Sequence, residues 1–223
     1  GEPVQNVSAL KPEVTVSAEK ENGQIQETVN SETVSQEERQ KLQEIDHIMG
    51  NMMSVLHDQN ATADALRKRF PSRNDLKLIH AIPFSSDRKY SGAVFEGRGT
   101  YLMGAAQFLF PEGNEELLEH CSSYAQEGYR ILVLAHSEQE TKGTERPTGL
   151  EPLGLFLITD VIREEAPDTL AFFDSQGVDL KVISGDDPVT VSAIAKKAGL
   201  KNANHYIDAT TIKTSEEMQR AVA

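Results

Sequence analysis

The chain changes its hydrophobic pattern part-way along, and that change limits the folds open to it. From Leu153, LGLFLITD is a nearly continuous apolar run, as in a strand buried on both faces. A helical pattern covers Ala166 to Ser175 and closes at Gly177. VDLKVISGD then reads as a second buried strand, and Pro188 to Ala198 as a second helix closed by Gly199. Strand–helix–strand–helix is the pattern of a parallel α/β sheet.

The preceding residues follow a different rule. LKLIHAIPF, KYSGAVFEG and GTYLMGA read as three strands with short turns, and Gly97 and Gly99 around Arg98 mark a hairpin. Asn114 to Ala125 reads as a helix, YRILVLAHSE as a strand, and Glu138–Pro152 as a hydrophilic loop. Upstream, Ser35 with Glu38 has the form of a capping box. Leu42, Ile45, Ile48, Met49, Met52, Met53 and Leu56 follow at helical spacing, with Gly50 weakening the middle. A second helix is expected from Thr62 to Phe70, stopped by Pro71. Residues 1–34 are polar and read as a mobile arm, with a short strand candidate at Val14–Val16. The expected organisation is therefore an arm over 1–34, an α+β domain with a helix-flanked antiparallel sheet over 35–145, and a partial α/β, Rossmann-like segment over 150–223. The boundary is expected between Glu138 and Leu153.

Composition excludes several roles. The 223 residues carry 22 basic and 35 acidic side chains, a net charge of -13. Phosphate backbones and anionic lipid surfaces both need clustered Lys and Arg, so a nucleic-acid binder is not expected. One cysteine, Cys121, allows no internal disulfide and suits a reducing compartment. No run approaches the roughly 18 apolar residues of a membrane helix. The opening residues lack the basic start and apolar stretch of a signal peptide.

Two short stretches can carry chemistry. In VISGDDP, Ser184, Gly185 and Asp186 fall where a strand ends and a helix begins, the corner of α/β sheets where ligands bind. A hydroxyl, a glycine and a carboxylate there suit a phosphate and its metal ion; the ordinary alternative is a turn and helix cap. In PFSSDRK, Phe84 ends a strand, and Arg88 and Lys89 follow. An aromatic face beside a cation suits an adenine ring and a phosphate chain. The alternative is a core phenylalanine beside solvated charges. Arg130, after Gly128, reads by itself as a surface charge. The six histidines show no zinc spacing, and no protein metal ligands are expected. Cys121 reads as an inert thiol, and Met49, Met52 and Met53 as core.

Taken in order, these stretches resemble the P-type ATPases over roughly residues 35–200. PFSSDRK matches the F-S-x-x-R-K stretch of their nucleotide domain, and MGAAQ at Met103–Gln107 resembles K-G-A-x-E. GYRILVLA at Gly128–Ala135 matches G-x-R-x-L-x-x-A, and DVIR at Asp160–Arg163 matches a strand ending in D-x-x-R. SGDDPVTVSAIAKKAGL resembles T-G-D followed by a helix and Gly.

The resemblance implies a cytosolic ATP-binding domain joined to part of a haloacid-dehalogenase-like phosphorylation domain. ATP and magnesium are the implied ligands. The parent would be a membrane pump that couples ATP hydrolysis, through an aspartyl phosphate, to cation transport. Phe84 would stack on adenine, and Ser86, Lys89 and Met103 would lie in the pocket. Gly104 would let backbone approach the nucleotide, and Arg130 would bind its phosphate tail. Ser184, Gly185 and Asp186 would hold the phosphoryl group, and Asp160 and Arg163 would sit near a hinge.

Four positions depart from the family: Met103 for Lys, Ser86 for Arg, Gln107 for Glu, and Thr62-Ala63 for a T-E pair. A charge-assisted hydrogen bond is worth about 1.5–3 kcal/mol, so losing two cations weakens ATP binding. The D-K-T-G-T motif with the phosphorylated aspartate is absent from this sequence, as is G-D-G-x-N-D. The chain is therefore expected to be an excised portion of a pump, inactive alone and a single copy, with the rest of that pump as its partner. Two rivals stand beside this reading. One is an interaction domain with a decayed nucleotide pocket, and the other is a haloacid-dehalogenase-type phosphatase.

Overall fold

The computed structural model describes residues 13–18, 36–160 and 162–222. They form two compact units, one from residues 36–121 and 131–160 with the strand at 13–18, the other from 122–130 and 162–222.

The first unit is built on one six-stranded sheet. Its strands are β1 (Glu13–Ala18), β2 (Leu78–Ile82), β3 (Tyr90–Phe95), β4 (Gly99–Gly104), β5 (Arg130–Ser137) and β6 (Glu151–Asp160), in the order β1-β6-β5-β4-β3-β2. Strands β2 to β5 form an antiparallel meander, and β1 runs parallel to β6. The strand candidate at Val14–Val16 is thus part of the sheet. The rest of the expected arm, and the capping residue Ser35, lie outside the described residues.

Two helices follow the sequence pattern. Helix α1 spans Gln36–Val55 and α2 spans Ala61–Arg69. The Asn60 carboxamide oxygen caps α2 by accepting from Ala63 N at 2.9 Å, so one of the orphan amides of the first turn is satisfied. Ile45, Ile48, Met49, Met52, Met53 and Leu56 bury against Ala93, Phe95, Tyr101, Met103, Leu134, Phe156 and Ile158. The methionine cluster is therefore core. Gly50 has a reason to be glycine beyond helix propensity. A Cβ there would lie 2.8 Å from the Pro71 carbonyl oxygen, because the chain after α2 crosses the helix at that point.

The opposite face of the sheet is also dry. Val94, Leu102, Val133, Ala135, Leu155 and Leu157 are buried there. Its cover includes the stretch expected to be a hydrophilic loop. His80, Tyr90, Thr100 and Ser137 hydrogen-bond the backbone carbonyls of Gly143, Thr144, Gln139 and Thr148, at 2.9, 2.9, 2.6 and 2.6 Å. Arg146 adds a two-pronged ion pair to Glu112 and a bond to Leu109 O. Polar side chains facing the strap satisfy its backbone, which is what lets it lie on the sheet. A short helix, α3 (Ala106–Leu109), was not expected from the sequence.

The second unit corrects part of the sequence reading. Helices α5 (Ala166–Ser175) and α6 (Pro188–Lys197) form as expected, and α4 (Glu115–Gln126) contributes its last turns. Within LGLFLITD, Leu155 to Ile158 are buried on both faces as expected, but as β6 the run belongs to the first unit's sheet. VDLKVISGD forms no strand, and Ile183 is 93% exposed. Apolar residues make a strand only where a neighbour supplies ladder bonds, and no described strand runs beside this segment. The parallel sheet expected from the strand–helix alternation is therefore not formed. A 3-10 turn (Ala209–Thr211) and helix α7 (Ser215–Val222) complete the unit. No helix of the described residues is long and apolar enough to cross a membrane.

Candidate functional site

The turn between β2 and β3 holds Phe84, Ser86, Arg88 and Lys89. Phe84 is 47% exposed, so it is not the core phenylalanine of the ordinary alternative. Lys89 N donates to Ser85 O at 2.7 Å and closes the turn. Lys89 itself has φ +56, a left-handed conformation uncommon for a residue with a Cβ. Ser86 is exposed and Lys89 half-buried.

Gly104 meets this turn directly. It lies opposite Tyr90 in the β3–β4 register, and Ala105 N donates to Lys89 O at 3.2 Å. A Cβ on Gly104 would sit 2.4 Å from Lys89 O and 2.6 Å from Tyr90 Cβ, so only glycine fits. Lys89 and Gly104 are thus packed backbone to backbone at one end of the hairpin. Met103 is only 7% exposed and packs in the core with Met49 and Leu134. Gln107 is exposed on α3.

The other candidates, apart from Asp160, lie in the second unit. Arg130 donates to the Asp186 carboxylate at 2.5 Å. Ser184 Oγ accepts from Asp186 N at 3.1 Å. Asp187 caps α6 by accepting from Val189 N and Thr190 N, both at 3.0 Å, so the helix-cap duty falls on Asp187. Gly185 has open space where a Cβ would stand. Thr190 Oγ1 donates to Tyr129 O at 3.1 Å, and Lys197 Nζ bonds Glu127 O, tying α6 to residues 127–130. Asp160 ends β6 opposite Ala18, and the exposed Arg163 accepts from Ala166 N through its carbonyl.

Among the described residues, no three His, Cys, Asp or Glu side chains group to hold a metal ion. Burial pushes the Cys121 thiol up to about 11, so it is a poor nucleophile near neutral pH. Sequence reasoning missed the inward role of Arg88, whose Nη2 donates to Pro83 O at 2.8 Å. It also missed Asn51, buried mid-helix and bonded to Asp75 and Leu76. A polar residue among the apolar positions of α1 was the available signal for Asn51.

The fold is an α+β sheet unit presenting an aromatic turn, joined to a helical unit presenting a Ser-Gly-Asp turn. No family model matches the chain. It is 40% identical over 180 residues to the probable cation-transporting ATPase exp7 of Streptococcus pneumoniae, 78% of this chain and 22% of that protein. It is 32% identical over 141 residues to the calcium-transporting ATPase CtpE of Mycolicibacterium smegmatis, 63% of this chain and 18% of that one. To the sodium/potassium-transporting ATPase subunit alpha-A of Artemia franciscana it is 26% identical over 170 residues, 60% of this chain and 17% of that one. The chain belongs to the P-type cation-transporting ATPases. It spans about a fifth of the length of the curated relatives it matches.

Proposed function

We propose that this chain is the ATP-binding part, on the cytoplasmic side, of a P-type cation pump. The observation that carries the reading is the backbone packing of Lys89 against Gly104 beside the half-exposed Phe84. In this reading Phe84 stacks on adenine, Lys89 meets the phosphates, and Ser86 borders the pocket. Met103 supplies its apolar floor rather than a charge. Arg130 serves the phosphate tail once it exchanges Asp186 for phosphate. Ser184, Gly185 and Asp186 belong to the phosphoryl-transfer corner of a haloacid-dehalogenase-like domain. The rest of the pump provides the acceptor aspartate, the remaining strands and the path of the transported cation. Asp160 and Arg163 lie at or just beyond the point where the sheet unit ends, which suits a hinge.

Among the described residues no metal-binding trio is grouped and Asp186 is engaged by Arg130, so these side chains do not fit a resident magnesium. Magnesium enters this reading with the phosphates of ATP.

A second reading, an interaction module without nucleotide, is favoured by the burial of Met103 where a pocket cation is expected. An amide chemical-shift titration with a non-hydrolysable ATP analogue, with and without magnesium, separates the two. Shifts around Phe84, Lys89 and Gly104 that vanish in Phe84→Ala support the pump reading. No shifts up to about millimolar analogue, equivalent to about 4 kcal/mol, support the interaction module.

A further inference from the structure

The geometry points to Arg88 as a positioning residue that pre-sets the Phe84 ring for an incoming base; this rests on the nucleotide-site reading above. An aromatic platform contributes most to affinity when its backbone is ordered before the ligand arrives, because ordering it afterwards costs binding energy. Phe84 is half-exposed, so core packing does not hold it. Its backbone is fixed by the turn instead.

Lys89 N holds Ser85 O on one side of Phe84, and Arg88 Nη2 holds Pro83 O on the other. Pro83 O belongs to the peptide group that leads into Phe84, so Arg88 sets the plane of that peptide. Arg88 is itself held: its guanidinium carbon lies 5.7 Å from the centre of the Tyr90 ring. Tyr90 is buried, and its hydroxyl donates to Thr144 O at 2.9 Å. A continuous chain of contacts therefore runs from the strap through Tyr90 and Arg88 to the Pro83–Phe84 peptide.

The two cations of the turn divide their work. Arg88 faces its own loop, which leaves Lys89 to the phosphates. Arg88 Nε has no acceptor among the described residues, so the contact to Pro83 O is the side chain's working hydrogen bond. A lysine, through its terminal ammonium, can reproduce it; a methionine cannot.

The test compares ATP with inorganic tripolyphosphate, which lacks a base, on the full chain and on its Phe84→Ala, Arg88→Met and Arg88→Lys variants. Calorimetry gives the affinities, and amide spectra check folding. Stacking of a base on an aromatic ring is worth enough that Arg88→Met weakens ATP binding about tenfold and leaves tripolyphosphate within about twofold. Arg88→Lys stays within about threefold of the unaltered chain for ATP.

Equal ATP affinity in Arg88→Met and the unaltered chain overturns the role while Phe84→Ala still supports the site. Equal losses for ATP and tripolyphosphate overturn it too, since Arg88 then touches phosphate directly. Where Arg88→Met loses its amide dispersion, Arg88→Lys decides alone: ATP affinity within about threefold supports the role, and a larger loss overturns it. No ATP binding by the unaltered chain overturns the site and the role together.

Discussion

Arg130 and Asp186 form an ion pair of 2.5 Å between the first residue of β5 and the turn before α6. The pair joins two residues that the sequence reading assigned to one reaction, but it joins them to each other. A carboxylate that holds the guanidinium competes with any phosphate for the same donors. Asp186→Asn is therefore expected to raise tripolyphosphate affinity severalfold, and Arg130→Ala to lower it, both read by calorimetry. Both side chains are partly exposed, so the stability change on losing the pair is about 1 kcal/mol or less. Unchanged tripolyphosphate binding in Asp186→Asn would remove Arg130 from the phosphate site.

Gly104 is expected to be intolerant of any side chain. In Gly104→Ala the new Cβ meets Lys89 O and Tyr90 Cα, both backbone atoms that cannot swing away. Overpacking of this kind costs about 1–3 kcal/mol. Urea unfolding measures it, with Gly185→Ala, where nothing lies near, as the neutral control. Equal midpoints for the two variants would contradict the close approach that carries the proposed site.

The α1 clamp is expected to weaken in acid. Asn51, 1% exposed, accepts from Asp75 N and Leu76 N and donates to Asp75 Oδ1 and His47 O. The hydrogen bond from His47, with a second from Asn51, holds the Asp75 carboxyl below the usual carboxylate range. A lowered folded-state value means the contribution is complete above the unfolded value and is lost as pH falls through the folded one. Urea midpoints should therefore drop on moving from about pH 7 to about pH 3, and Asp75→Asn should flatten that part of the drop. Asn51→Ala removes the acceptor of two part-buried amides and should cost about 1–3 kcal/mol at neutral pH. A pH profile identical in Asp75→Asn would remove this carboxylate from the clamp.

Helices α1 and α2 and strands β2 to β5 of the sheet unit were legible because their periods are clean: Ile45, Ile48, Met49 and Met52 fall on one helix face, and Ala93 and Phe95 on one strand face. The aromatic turn at Phe84 was legible as a motif. Its inner bracing by Arg88 and Tyr90 was not, since a side chain's bond to its own loop leaves no periodic trace. The stretch Gln139–Thr148 was legible as a hydrophilic loop, but its docking on the sheet was not, because its partners His80, Tyr90, Thr100 and Ser137 are scattered over four strands. The β6 assignment failed for a different reason. A continuous apolar run shows that both faces are buried but does not say in which sheet.

The segment from Val178 to Ser184 tests the pump reading most directly. Its sequence is that of a buried strand, while Val182 and Ile183 are 56% and 93% exposed. No described strand pairs with it, so its amides from Asp179 onward are expected to exchange with solvent freely. Those of β3 and β4, buried along their whole length, are expected to be slower by at least about a thousandfold. Hydrogen exchange by mass spectrometry resolves the two regions. In the proposed pump, the rest of the phosphorylation domain supplies the neighbouring strands. A longer chain carrying that part should therefore protect Asp179–Ile183 without changing β3. Persistent fast exchange there would show that these apolar residues are not a waiting strand, and the haloacid-dehalogenase-like assignment of the second unit would fall.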